Sequence, residues 1–147
     1  GEASRTHMLY VYGPGGVGKS VGVMYHAAKN HLGLRVKGLF YVTEEGLITG
    51  NANRYADSRE DKERAASLFS KCSRTDLLVV DDLGNRASYR PGQAEMYGRV
   101  LGERLRMCRP TIVIGRREPV DGSPFSWIPG QLSGAFRSAG RSIAVWG

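Results

Sequence analysis

The chain reads as an α/β protein in three layers: a five-stranded parallel sheet flanked by helices. Three observations predict this class. Short aliphatic runs recur along the chain and end abruptly at glycine or at acids, as strands buried on both faces do. The segments between them carry apolar residues at helical spacing. The first run leads directly into a G-x-x-x-x-G-K-S sequence, which itself opens a helical segment.

Taken in order, Met8–Tyr12 (MLYVY) is the first strand, stopped at Gly13. Ser20–Leu32 places Val21, Met24, Ala28 and Leu32 on one helical face, with Gly33 as the stop. Leu34–Thr43 contains LFYV and predicts a second strand. Asp57 and Ser58 are N-cap candidates for a helix reaching about Cys72, striped by Ala65, Leu68, Phe69 and Cys72. Leu77–Val80 is the third strand, four aliphatics followed by Asp81 and Asp82. Pro91 and Gln93 open a helix with Ala94, Tyr97, Leu101 and Leu105 on one face. Thr111–Ile114 (TIVI) and Ser142–Trp146 (SIAVW) complete the strands. Pro119 to Gly134, rich in Gly, Pro and Ser, predicts a long surface loop.

Composition sets the outer limits. The 147 residues suit one domain, and 41% apolar with 24% charged residues is ordinary for a globular chain. Twenty glycines is a high share, which makes backbone turns important. Lys and Arg number 21 against 14 Asp and Glu, a net charge of +7 that favours polyanionic partners. No apolar run approaches the length of a membrane span, and no signal-peptide pattern opens the chain. A cytoplasmic protein is expected. Cys72 and Cys108 lack ligand spacing and lie in apolar-periodic stretches, which predicts two buried thiols. Residues 1–7 read as a cloning remnant, leaving 8–147 as the single domain.

Gly13-Pro14-Gly15-Gly16-Val17-Gly18-Lys19-Ser20 matches the phosphate-loop pattern at every fixed position, and Val21 continues it into the helix. Each residue type has a reason. Glycines let successive backbone N–H groups turn inward around an anionic phosphate. The helix that follows aims its unsatisfied N–H groups at the same charge. Lys19 is placed to neutralise β- and γ-phosphates, and the Ser20 hydroxyl can ligate Mg²⁺.

Asp81 and Asp82 end their strand on the edge where a parallel sheet binds ligands. Asp81 is the candidate for Mg²⁺ through its water shell, and Asp82 for polarising the attacking water. The bland alternative is an acid pair capping the turn before Leu83-Gly84.

GPGGVGKS, then DLLVVDDLG at Asp76–Gly84 and RPTIVIG at Arg109–Gly115, resemble the AAA+ ATPases of DnaC-type helicase loaders and IstB-type transposition helpers. The similarity runs from Met8 to Gly147, and FYVTEEGLITG at Phe40–Gly50 stands where that family has a strand and a helix entry. The resemblance implies an ASCE-type P-loop NTPase sheet, with the strand ending at Ile114 between the first strand and the acidic one. It implies ATP or ADP with Mg²⁺, assembly into a homo-oligomer, and single-stranded DNA and a replicative helicase or other client as partners. By position, Lys19 and Ser20 are the Walker A residues, Asp81 the metal-side acid and Asp82 the catalytic acid. An N-terminal partner-binding region and a full C-terminal lid are not expected within this sequence.

Two departures stand out. The family's polar sensor, often Asn, follows the PTIVI-like strand, and here Gly115-Arg116-Arg117 stands there, which puts Arg116 near that role. The trans-acting arginine does not align cleanly; Arg137 is the first choice and Arg141 the second.

Beyond these motifs, Tyr89, Arg90 and Arg117 are the DNA-binding candidates, an aromatic and cations suited to a single strand, with packing of Tyr89 against the sheet edge as the equal alternative. Arg99, Arg104, Arg106 and Arg109 form a second basic group, for which a solvated helix face is the plainer reading. Trp127 and Trp146 read as core or interface residues, and no histidine is assigned chemistry.

The leading functional expectation is a weak ATPase core of a replication accessory factor that loads or remodels a helicase on single-stranded DNA. A transposition helper is its near neighbour. A viral or phage DNA-packaging ATPase is a further alternative, since GRREP at Gly115–Pro119 resembles the strand exit of such motors. A small-molecule P-loop kinase shares the phosphate loop but lacks the DDLG context, and a non-hydrolysing nucleotide-dependent scaffold fits the altered sensor.

Overall fold

The computed structural model describes residues 6–13, 38–84, 89–126, 128 and 131–144. Within them the strands are β1 (Met8–Tyr12), β2 (Leu39–Thr43), β3 (Leu77–Leu83), β4 (Thr111–Gly115) and β5 (Gly140–Ala144). The helices are α1 (Glu44–Asn53), α2 (Arg59–Arg74), α3 (Pro91–Arg106) and α4 (Leu132–Ala139).

All five strands run parallel in the order β2-β3-β4-β1-β5, so β4 lies between β1 and β3 as the family resemblance implies. Parallel strands need crossovers, which carry the helices onto the sheet faces. The sheet's period of two sorts its residues cleanly. Tyr10, Val42, Leu78, Val80 and Val113 face one core with Leu47, Cys72, Tyr97, Leu101 and Phe136 of the four helices. Leu9, Val11, Leu77, Val79, Ile112 and Ile114 form a separate cluster on the other face. The predicted helix Ser20–Leu32 lies outside the described residues, as do Trp127 and Trp146.

Local chemistry sets the ends of these elements. Thr43 and Ser58 are the N-caps of α1 and α2, their hydroxyls accepting from Gly46 N and Asp61 N at 3.1 and 3.4 Å. Pro91 starts α3, where its missing N–H costs nothing. The sequence reading stops α2 at Cys72, two residues short of its end at Arg74. His7, set outside the fold by that reading, extends the ladder by donating to Ala139 O at 2.8 Å and accepting from Thr111 N at 2.9 Å.

Three expectations are corrected. Segment 119–134 is not simply surface: Ser123, Pro124, Phe125 and Ile128 are buried, and α4 begins at Leu132. The Phe125 and Phe136 rings meet edge to face at 5.5 Å, an apolar contact that draws the loop onto the core. Cys108 is exposed, just beyond the end of α3 with φ +55°, while Cys72 is fully buried.

Arg104 is the third correction. It belongs to the core, not to a basic surface, with no exposed area. Its guanidinium donates to Thr111 Oγ1 at 2.8 Å and to the carbonyls of Cys72 (2.8 Å), Ser73 (3.3 Å), Thr75 (2.9 Å), Asp76 (3.4 Å) and Pro110 (2.7 Å). The carbonyls of Cys72, Ser73, Thr75 and Asp76 lie at the C-terminus of α2 and just past it, where partial negative charge gathers and intrahelical donors are lacking, and Pro110 O leads into β4. Burial lowers the Arg104 pKa to about 10, with Arg109 adding to the effect. Arg109 also donates to Ser73 O. Only Arg99 and Arg106 of that basic group are exposed.

Candidate active site

Because the sheet is all parallel, the ends of β1, β3 and β4 share one edge. Gly13, the first residue of the phosphate-loop motif, donates its N–H to Gly115 O at 3.3 Å. The motif is thereby tied at its root to the strand beside the acid pair. Pro14, Gly15, Gly16, Val17, Gly18, Lys19, Ser20 and Val21 lie outside the described residues.

The acid pair sits in a β-bulge. Val80 pairs with Val113 and Leu83 with Gly115, so Asp81 and Asp82 together oppose Ile114. A bulge bends its strand and re-aims the side chains it carries. Asp82 absorbs the extra residue with φ +59°, a left-handed conformation that Asp tolerates better than most residues. Its side chain is thereby exposed while Leu83 returns to the core.

Asp81 is half-buried and held from two sides. Its Oδ1 accepts from Asp82 N at 2.8 Å and its Oδ2 from the Tyr41 hydroxyl at 2.5 Å. These two contacts fix the orientation of the carboxylate. Tyr41 was not singled out in the sequence; its place on β2, diagonal to Asp81, follows from the β2–β3 register alone.

Glu44 is a second residue that sequence reading missed. It is the first residue of α1 and is 3% exposed. Its Oε1 accepts from Gly84 N at 3.3 Å, from the Tyr97 hydroxyl at 2.7 Å and from the Tyr89 hydroxyl. The helix N-terminus favours a carboxylate there. A buried acid at a strand-to-helix junction was the available signal, hidden because Glu is common in first turns.

The remaining candidates fall in three places. Arg116 and Arg117 are exposed on the bend after β4, and Arg117 O accepts from the Tyr10 hydroxyl at 2.8 Å. Gly115 ends β4 and leaves no room for a side chain, since a Cβ there would stand 2.4 Å from Tyr10 Oη and 2.9 Å from Leu83 O. Tyr89 is half-buried, its hydroxyl on Glu44 and its ring edge to face with Tyr97 at 6.0 Å, while Arg90 is exposed beside it. Stacking a base on Tyr89 requires breaking those contacts. Arg137 is exposed on α4 and its Nε donates to Asp121 O at 2.8 Å. Arg141 is on β5 rather than the last helix, and both arginines line one cleft with Tyr12 and Glu118.

The described acids of this edge have the donor chemistry that magnesium takes. Mg²⁺ takes one or two carboxylates and completes its shell with water and phosphate oxygens. Asp81 supplies one such carboxylate, with Asp82 beside it, at the edge where Gly13 bonds Gly115. Among the described residues no cluster of three or more His, Cys, Asp or Glu side chains suits another metal.

The parallel sheet order and the helices packed on it give an α/β fold like that of P-loop NTPases, shared with a DnaC helicase loader. A DnaC helicase loader superposes with a TM-score of 0.69 at 16% identity, over 97% of this chain and 80% of that one. DnaI gives 0.60 at 18%, over 97% and 72%. A replication initiator DnaA bound to AMPPCP and single-stranded DNA gives 0.66 at 16%, over 95% of this chain and 40% of that one. The chain therefore spans about two-fifths of that initiator. No family model and no curated protein matches the sequence.

Proposed function

We propose that the chain is the ATP-binding and hydrolysing core of an AAA+ replication accessory factor that loads or remodels a replicative helicase on single-stranded DNA. The observation that carries this reading is the bulged acid pair on the strand beside β4, whose end anchors Gly13. A phosphate-loop motif and an acid pair on one sheet edge are the two halves of a phosphoryl-transfer site. The fold shared with a DnaC helicase loader and with a DnaA that holds AMPPCP and single-stranded DNA supports the replication role.

In this reading the backbone N–H groups of Gly15–Gly18 and the Lys19 ammonium hold the triphosphate. Ser20 and Asp81 would hold magnesium, which supplies neutralisation of charge between the β- and γ-phosphates. Tyr41 keeps the Asp81 carboxylate oriented. Asp82, exposed by the bulge, polarises the attacking water. Arg137 or Arg141 reaches the site of a neighbouring copy, so turnover depends on assembly, and Arg116 serves the sensor role. Tyr89, Arg90 and Arg117 contribute to a DNA-binding face.

The test is Mg·ATP binding and turnover, measured against protein concentration with and without single-stranded DNA. Turnover rising faster than linearly, and further with DNA, is expected. Lys19→Ala abolishes binding or turnover, and Asp82→Asn retains nucleotide while slowing hydrolysis by about 10²-fold or more. Full activity in Lys19→Ala rules the site out.

A further inference from the structure

Glu44 poses a question that the site chemistry leaves open. It is a carboxylate 3% exposed, and among the described residues no cation pairs with it. Burying a charge is costly unless hydrogen bonds replace its water. Here the replacement comes from a helix N-terminus and three donors, all on Oε1.

The donors come from three consecutive parts of the chain. Gly84 directly follows β3, two residues beyond Asp82, and holds φ +78°. Tyr89 lies just ahead of α3, and Tyr97 is within it. Glu44 itself follows Thr43, which pairs with Asp81 across the β2–β3 ladder. One side chain thus joins the end of β2, the exit from the acid-bearing bulge and the start of α3. The two phenols reinforce each other, packed edge to face at 6.0 Å.

We propose that Glu44 is a positioning residue for hydrolysis: its carboxylate fixes the exit of the bulge, and so the direction of Asp82, against α3. The proposal rests on the ATPase reading above. Removal of this anchor frees the exit of the bulge at Gly84, while Tyr41 and the Thr43 pairing still hold Asp81 at its entry. Glu44 acts on the acid side of the site, through Gly84, Tyr89 and Tyr97, so nucleotide affinity stays while turnover falls. Any ligand that draws Tyr89 away from Glu44 also loosens the acid pair, which would couple Tyr89 and Arg90 to hydrolysis.

The test has two arms on the full chain. In the first, hydrogen exchange without nucleotide is followed in peptides covering residues 81–97. Exchange there is faster in Glu44→Ala than in the parent, and Glu44→Gln, which keeps an acceptor, stays near the parent. Unchanged exchange in Glu44→Ala overturns the proposal irrespective of any activity. In the second, Glu44→Ala lowers the maximal ATPase rate about tenfold or more, with ATP affinity within about twofold of the parent. Glu44→Gln recovers most of that rate. Equal losses of affinity and rate, or a parental rate in a folded Glu44→Ala, also overturn it.

Should Glu44→Ala fail to fold, Tyr89→Phe and Tyr97→Phe carry both arms. Each is expected to show part of the effect, and parental exchange and rate in the double variant refute the role. A parent that neither binds nor hydrolyses Mg·ATP removes the ATPase reading, and the catalytic role with it; that failure is seen before any Glu44 variant is measured.

Discussion

The Tyr41 hydroxyl donates to Asp81 Oδ2 at 2.5 Å, joining an edge-strand aromatic to the acid assigned to the metal side. Tyr41 is 40% exposed, so burial alone does not hold it there. Hydrogen bonding to Asp81, then burial and the charges of Asp81 and Asp82, push its pKa from 10.0 up to about 12. The folded chain therefore keeps this proton where the unfolded chain has lost it. Its stabilising contribution is complete below pH 10 and disappears as the pH rises through about 12. Spectroscopic titration of the phenols should lose one late-titrating group in Tyr41→Phe. An unchanged count would remove the Asp81 contact as the cause.

Gly115 is constrained by Tyr10. Gly115→Ala should cost about 1–3 kcal/mol, because its Cβ meets a hydroxyl and a backbone carbonyl in a packed core. Adding Tyr10→Phe should restore part of the loss by removing the hydroxyl, while the Leu83 carbonyl keeps the rest. Thermal melts of the two variants make the comparison. No recovery in the pair would locate the strain elsewhere.

Replacing Arg104 leaves several buried carbonyls without donors. Arg104→Met should destabilise the chain by about 3 kcal/mol or more, judged by urea unfolding. Lys at this position cannot reach the acceptors that the planar guanidinium serves, and should recover little. A loss below about 1 kcal/mol would mean that water replaces the guanidinium.

The two thiols should behave oppositely. Burial pushes the Cys72 thiol up to about 11, opposed by Arg104, whereas Cys108 is exposed. A disulfide reagent at pH 8 should modify one cysteine rapidly in the folded chain and the second only after denaturation. Rapid modification of both, or protection of Cys108, would contradict the burial described.

Local patterns carried much of this far. The run MLYVY matches β1 end for end, and TIVI matches β4 but for Gly115, since an aliphatic run buried on both faces admits few other readings. The face Ala94, Tyr97, Leu101, Leu105 is buried as its helical spacing requires. β5 begins two residues before Ser142, on Gly140 and Arg141, which have no strand signature and gain their geometry by pairing with Met8 and Leu9.

What the sequence by itself determined is the chemistry that lies within a few consecutive residues: the phosphate-loop motif, the acids at a strand end, and the alternation that makes a parallel sheet. Tertiary structure alone decided which distant groups serve those acids. Tyr41 reaches Asp81 across 40 residues, Tyr97 reaches Glu44 across 53, and Arg104 closes a helix 32 residues away at Cys72. A polar side chain looks the same in the sequence whether water or a carbonyl satisfies it. Only the packing that expels the water determines which partner it must find.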